Sequence, residues 1–238
     1  MEIALTGEGK TDYGMQEYGS TSGKWGPIAY YLKNIAQRNN VDVNLSPITR
    51  EEIKGFKLQR SMKNGISGHG IPARKFAYLM KNKGCQYGIF YCDADREAGA
   101  INSEHQADKR FEKVYVEVEQ GLNVSGINAI PMIALRMIET WIMGDKSAIE
   151  KALDISIPDS LFPQKPELLW GDVHDPQSNY PKHYFNRMVS SCDKRHANYS
   201  SNMEDFCAIA EASDVETVKK TCGISFGKFY DDFEKMIT

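Results

Sequence analysis

The chain reads as an α/β protein: a mostly parallel central sheet with helices on both faces, followed by a C-terminal helical extension. Three observations predict this. Short apolar segments and stretches of helical spacing alternate over the first 145 residues, and such alternation lays strands parallel, because each crossover helix returns the chain to the same end of the sheet. Tyr87-Gly88-Ile89-Phe90-Tyr91-Cys92 is a continuous apolar run, as a strand buried on both faces requires. Beyond Asp145 the character changes: Pro158, Pro163, Pro166, Pro176 and Pro181 break the chain into short pieces, and only helical patterns recur after Lys182. Residues 1–145 are therefore read as one α/β unit and residues 146–238 as a helical extension packed on it. With 238 residues, 41% of them apolar, the chain can bury one sizeable core.

Each element follows from local pattern. Glu2-Ile3-Ala4-Leu5-Thr6 is a short apolar first strand, running at once into Gly7-Glu8-Gly9-Lys10-Thr11-Asp12. A strand followed by a Gly-rich turn is how α/β domains present side chains at strand carboxyl ends. Ser20 to Lys24 reads as loop. Ile28, Tyr31, Leu32 and Ile35 fall at helical spacing between Trp25 and Arg38. Val41-Asp42-Val43-Asn44-Leu45 alternates, which predicts the second strand. Gly65 to Gly70 is turn-rich, and Pro72 opens a helix whose apolar face holds Phe76, Leu79 and Met80. The apolar run ending at Cys92 delivers Asp93-Ala94-Asp95-Arg96-Glu97-Ala98-Gly99. A helix is expected from about 104 to 120, a strand over 126–131 and a helix over 133–143. Four helices follow near 184–191, 202–211, 215–221 and 226–236.

Composition excludes several classes. No run approaches the ~18 apolar residues of a membrane span, so no membrane partner is expected. The N-terminus lacks the basic region and long apolar stretch of a signal peptide. Five cysteines, with no CxxC pair, argue against a disulfide framework or zinc knuckle and fit a reducing cytoplasm. Gly7-Glu8-Gly9-Lys10-Thr11 lacks the spacing of a phosphate-binding P-loop, although Lys10 could still meet a phosphate. The net charge of −3 conceals nine Lys/Arg against two Glu between Arg50 and Lys83, so a local +7 faces −10 elsewhere. Two readings of that block stand. It grips a polyanion through Arg60, Lys63, Arg74 and Lys75, or it is a solvated helix surface. His69, between two glycines of the block, either closes on a substrate or belongs to an ordinary surface loop. Trp170, Tyr180 and Tyr184 are read as packing residues before base-stacking ones, and His174, His183 and His196 have no ligand spacing.

The chemistry-bearing residues are acids at strand ends. Glu8 follows the first strand, and Asp93 and Asp95 follow the buried one. Neighbouring parallel strands bring such ends into one crevice, where three carboxylates repel one another unless a cation neutralises them. Oxygen ligands without a His/Cys cluster favour Mg²⁺ or Mn²⁺, as one or two ions. Asp93 and Asp95, two apart, point the same way. Arg96 beside them either orients a carboxylate or touches a phosphate.

Gly7-Glu8-Gly9-Lys10-Thr11-Asp12 together with Asp93-Ala94-Asp95-Arg96-Glu97-Ala98-Gly99 resembles the Toprim domain of primases, topoisomerases and related nucleases, in which a Glu ends the first strand and a DxD ends the third. The likeness covers roughly residues 1–145. Nearly the whole chain is similar to a Toprim-like bacterial family of unknown function associated with ATPases and phage defence. That likeness is carried by Glu139 and Trp141, by Pro181-Lys182, and by Cys222-Gly223-Ile224-Ser225-Phe226-Gly227-Lys228-Phe229, where Ile224 replaces a common Pro. The resemblance implies that Asp93 and Asp95 hold Mg²⁺, that Glu8 is a ligand or general acid/base, and that Glu139 is a further acidic group. Read alone, Glu139 is equally a helix N-terminal charge or a partner of Arg136. The functional expectation is a metal-dependent nuclease or related phosphodiester-handling enzyme acting on DNA or RNA. The alternative is a non-catalytic or metal-regulated partner of an ATPase subunit in a defence complex.

Overall fold

Ile3, Ala4 and Leu5 are fully buried in β1 (Glu2–Thr6) and alternate between the two faces of a sheet. The computed structural model describes residues 1–9, 11–16, 23–94 and 103–238. After β1 comes an antiparallel pair, β2 (Gly14–Gln16) and β3 (Gly23–Trp25), where the sequence predicted loop. Helix α1 (Pro27–Arg38) starts on a Pro and buries Ile28, Tyr31, Leu32 and Ile35. β4 (Asn44–Pro47) begins three residues later than its alternation suggested. A short helix unforeseen in sequence, α2 (Arg50–Gly55), is set by a capping box. The Thr49 hydroxyl accepts from the Glu52 N–H, and the Glu52 carboxylate accepts from the Thr49 N–H at 2.7 Å. α3 (Gly70–Lys83) stops at Gly84, whose φ of 73° suits glycine.

β5 (Tyr87–Asp93) is followed by α4 (Glu104–Leu122), N-capped by Ser103. β6 (Asn128–Ala134) runs further than expected. Ile133 and Ala134 pair with Cys92 and Asp93 in the sheet and do not open a helix. An apolar run of that length does not distinguish strand from helix by period, and the helix proper is the short α5 (Ile138–Ile142). Asp145, whose carboxylate accepts from the Ser147 and Ala148 N–H groups, starts α6 (Lys146–Leu153), also unforeseen. α7 (Pro181–Cys192), α8 (Met203–Ala212), α9 (Val215–Thr221) and α10 (Phe226–Ile237) complete the helical region.

Four parallel strands stand in the order β4-β1-β5-β6. The chain steps one way from β1 to β4, then crosses back past β1 to β5 and on to β6. Right-handed crossovers therefore put α1 on one face and α3 and α4 on the other. Strand residues divide accordingly. Ile3, Leu5, Ile89, Tyr91, Met132 and Ala134 pack with α1, and Ala4, Phe90, Cys92 and Ile133 pack with α3 and α4. One crossover helix cannot cover a four-stranded face. The helical region completes it, with α8 against α1 and α10 against β6.

A buried polar relay ties the tail down. The Ser225 hydroxyl accepts from the Trp141 Nε1–H at 2.7 Å and the Leu135 N–H at 3.2 Å, and donates to the Glu167 carboxylate. Glu167 also accepts from the Ile224 N–H at 3.0 Å. A Pro at position 224 has no N–H and could not make that bond.

Candidate metal centre

The strand order reverses at β1, because the connections leave it toward opposite edges. In open α/β sheets the crevice at such a reversal, beyond the strand carboxyl ends, is where ligands are held. Here the crevice lies between the ends of β1 and β5. β1 delivers Glu8 two residues past its end, half-buried. β5 ends on Asp93, whose Oδ1 accepts a 2.6 Å hydrogen bond from the Tyr91 hydroxyl. Asp95 and its neighbour Arg96 lie outside the described residues, as does Lys10.

Two further acids join from elsewhere. Asp12 is buried on the turn between Glu8 and β2. The hairpin fixes its backbone: the Asp12 carbonyl accepts from the Ile28 N–H and the Tyr13 carbonyl from the Gly26 N–H. Any side chain at Gly26 would run into the Asp12 carbonyl. Glu139, 4% exposed, sits in the first turn of α5, above Trp141 and its edge-on contacts with Tyr31, Tyr91 and Phe226.

The four carboxyl groups bear on one another. Burial and then the Glu8 charge push Asp12 up to about 7, against the opposing Lys182. Burial and then Asp12 push Glu139 to about 7, again opposed in part by Lys182. Asp93 is held well above the ordinary carboxylate range by burial, then Asp12, with smaller contributions from Glu8 and Glu139; the Tyr91 hydrogen bond works the other way. Like charges crowded in a poorly solvated crevice, opposed among the described residues by Lys182, are oxygen donors of the kind a hard divalent cation takes. Among the described residues no three of these carboxyl groups offer oxygens within 4.8 Å of one another, so they set the negative charge of the crevice without closing a cage around an ion.

The structure thus brings together Glu8, Asp93 and Glu139, all singled out in sequence, and adds Asp12 and Lys182. Asp12 was legible only as part of the Gly7–Asp12 turn. Lys182 comes from α7, and nothing local in sequence places its charge against Asp12 and Glu139. Among the described residues Lys182 bears on Glu139, and the Arg136 guanidinium stacks 3.8 Å from the centre of the Trp170 ring.

The basic block divides. Arg60 and Lys63 are exposed on a single 3₁₀ turn. Arg74 is committed elsewhere: its guanidinium donates to the carbonyls of Gly121 (2.7 Å) and Gln120 (2.6 Å), closing the C-terminus of α4. Lys75 is half-buried beside the Lys54 carbonyl. His69 is no surface-loop side chain; it is 5% exposed and held by Glu117. Arg50 donates to the Glu8 carbonyl at 2.8 Å. It lines, with Glu8, Thr49, Glu51 and Lys54, an open cavity of about 510 Å³. A larger cavity of about 880 Å³ lies between α4 and the α9–α10 region, away from the carboxylates. Its Lys219 and Lys228 are paired with Asp231 and Asp232.

No protein-family model, curated protein or solved structure matches the chain. Among the described residues no helix is long and apolar enough to cross a membrane.

Proposed function

We propose that the protein is a Mg²⁺- or Mn²⁺-dependent nuclease or related phosphodiester-handling enzyme acting on DNA or RNA. The observation that carries this reading is the convergence of Glu8, Asp12, Asp93 and Glu139 at the sheet's reversal point, with Asp12 and Glu139 pushed to about 7. Glu8 and Asp93 are the proposed ligands, joined in sequence by Asp95. A bound ion supplies Lewis-acid polarisation of a phosphate and offsets charge that grows during displacement. Asp12 and Glu139 accept or release a proton near neutral pH, as general acid/base work requires. Lys182 limits their mutual repulsion. Arg50 and Lys54, lining the groove beside Glu8, face an incoming phosphate. The exposed Arg60 and Lys63 add affinity for a backbone without reading sequence.

The test is cleavage of single- and double-stranded DNA and RNA with each ion, comparing wild type with Asp93→Ala. Loss of one of the groups that holds the ion is expected to abolish turnover, and equal rates in the two proteins would sink the assignment. No cleavage by the wild type with either ion, together with capture of an ATPase subunit, would instead favour the metal-regulated partner that the Toprim-like resemblance also implies.

A further inference from the structure

Glu8 has a second set of neighbours, on the other face of the sheet. Its carboxylate, the Cys92 thiol and a ring nitrogen of His69 offer donor atoms within 4.8 Å of one another. Strand pleating separates this group from the acids. Tyr91 lies on the α1 side, where its hydroxyl meets Asp93, whereas Cys92 points toward α3 and α4 and is fully buried. Glu8, two residues beyond β1, is common to both sets: its carboxylate lies with His69 and Cys92, and its charge bears on Asp12 and Asp93.

His69 is held for this task. It precedes α3, and its backbone N–H and Nδ1 both meet Glu117 Oε2, at 2.9 and 3.2 Å. Gly70 permits that approach, since a Cβ there would lie 2.5 Å from the Glu117 carbonyl oxygen. A carboxylate on Nδ1 keeps the proton on that nitrogen and leaves Nε2 as a lone-pair donor, the arrangement that orients metal-binding imidazoles. Nε2 is buried and makes no hydrogen bond among the described residues. A buried nitrogen left without a partner is costly unless something binds it.

We propose that His69 Nε2, Cys92 Sγ and the Glu8 carboxylate bind a borderline transition-metal ion of the Zn²⁺ class, with Glu117 as the positioning residue of the imidazole. One imidazole, one thiolate and one carboxylate suit Zn²⁺ and are a poor match to Mg²⁺. Bonds of about 2.0–2.3 Å in tetrahedral geometry set donors roughly 3.3–3.8 Å apart, so the cluster contracts around a bound ion. Three protein ligands leave a fourth position open. Binding releases the Cys92 thiol proton to solvent. This site shares Glu8 alone with the carboxylate centre and does not depend on that centre's being catalytic.

The experiment uses the full chain, stripped with a chelator and titrated with Co²⁺ as a spectroscopic stand-in. A thiolate-to-cobalt charge-transfer band in the near ultraviolet is expected, displaced by one equivalent of Zn²⁺. Cys92→Ser is expected to abolish the band, and Glu117→Gln to weaken binding roughly 10–100-fold. Asp93→Asn, which removes a group of the carboxylate centre, is expected to keep it, so failure of the nuclease reading and failure of this one are told apart. Absence of the band in the wild-type protein overturns the proposal whether or not any variant folds. A band that survives Cys92→Ser, in protein whose circular dichroism is unchanged, does the same.

Discussion

Asp12 and Glu139 keep protons that ordinary carboxyl groups would have lost, and that sets how the metal-free protein responds to pH. Both are raised to about 7, facing Glu8, Asp93 and each other, with Lys182 opposed. Unfolded, they titrate near 4, so between about pH 4 and 7 the folded state binds more protons than the unfolded one. Their contribution to stability is complete below about pH 4 and is lost as pH rises through about 7, at roughly 1.4 kcal/mol per pK unit and shared between the two. Asp12→Asn removes one of the repelling charges. The metal-free variant is expected to melt several degrees above wild type at about pH 8 and to converge with it near pH 4. Mg²⁺ at the higher pH is expected to raise the wild-type Tm more than the variant's. Melting curves across that range decide it: a lower Tm for Asp12→Asn at the upper pH would mean the carboxylate is compensated, not strained. Glu8 and Asp93 were legible in sequence because each directly follows an evident strand. Asp12 and Lys182 stood out only as parts of the Gly7–Asp12 turn and the Pro181-Lys182 pair that carry the family likeness, because a turn interior and a helix near the other end of the chain announce nothing about where they meet.

At the scale of elements, the segment from Arg50 to Lys83 shows how a charge run splits into structure and surface. Arg74 closes the C-terminus of α4 by donating to two of its last carbonyls, a job that leaves little of its charge for an external phosphate. Arg74→Ala is expected to destabilise the fold by about 1–3 kcal/mol, since charged hydrogen bonds are lost and orphan carbonyls remain. Its effect on the salt dependence of nucleic-acid binding is expected to be nil. Arg60→Glu with Lys63→Glu is the converse pair. Both side chains are exposed, so stability stays within about 0.5 kcal/mol, while the slope of log K against log salt falls by about one per phosphate contact removed. Denaturant titration and binding isotherms at three salt concentrations separate the two cases, and a salt slope unchanged by the double reversal would remove the backbone grip from the proposal. Elements with strong local signals were readable: the apolar run of β5, the helical spacing of α1 and Pro72 in the first turn of α3, whereas α7 begins three residues before the expected 184 because Pro181, read as a breaker, is its first residue. The capping box of α2 was written in Thr49 and Glu52, yet a six-residue helix carries too little periodicity to stand out. β6 and α5 blurred because Ile130 to Met143 is apolar almost throughout, and tertiary pairing, not period, decides where the strand ends.

For the molecule as a whole, the question is whether the α/β part stands without the helices that follow it. The face of the sheet carrying Ile89, Tyr91 and Met132 is covered by one crossover helix and otherwise by α7–α10. Phe185, Phe206, Phe226, Phe229 and Phe233, all essentially buried, come from that later region and pack in the same core as Tyr31 and Trp141. Burial of a large apolar side chain is worth roughly 1.5–3 kcal/mol. If Tyr31, Ile89, Tyr91, Met132, Trp141 and Ile142 each lose even half of their cover, the loss is about 5–9 kcal/mol, against a net stability of about 5–15 kcal/mol for a typical domain. Trp141 Nε1 and the Leu135 N–H would also lose Ser225, and Asp12 and Glu139 the opposing charge of Lys182. A chain ending at Asp145 is therefore expected to lack a cooperative melting transition and to bind a hydrophobic dye. The full chain is expected to unfold in one step, with calorimetric and van't Hoff enthalpies in agreement. Two resolved transitions in the full chain, or a sharp one in residues 1–145 alone, would show that the later helices decorate the sheet without completing it.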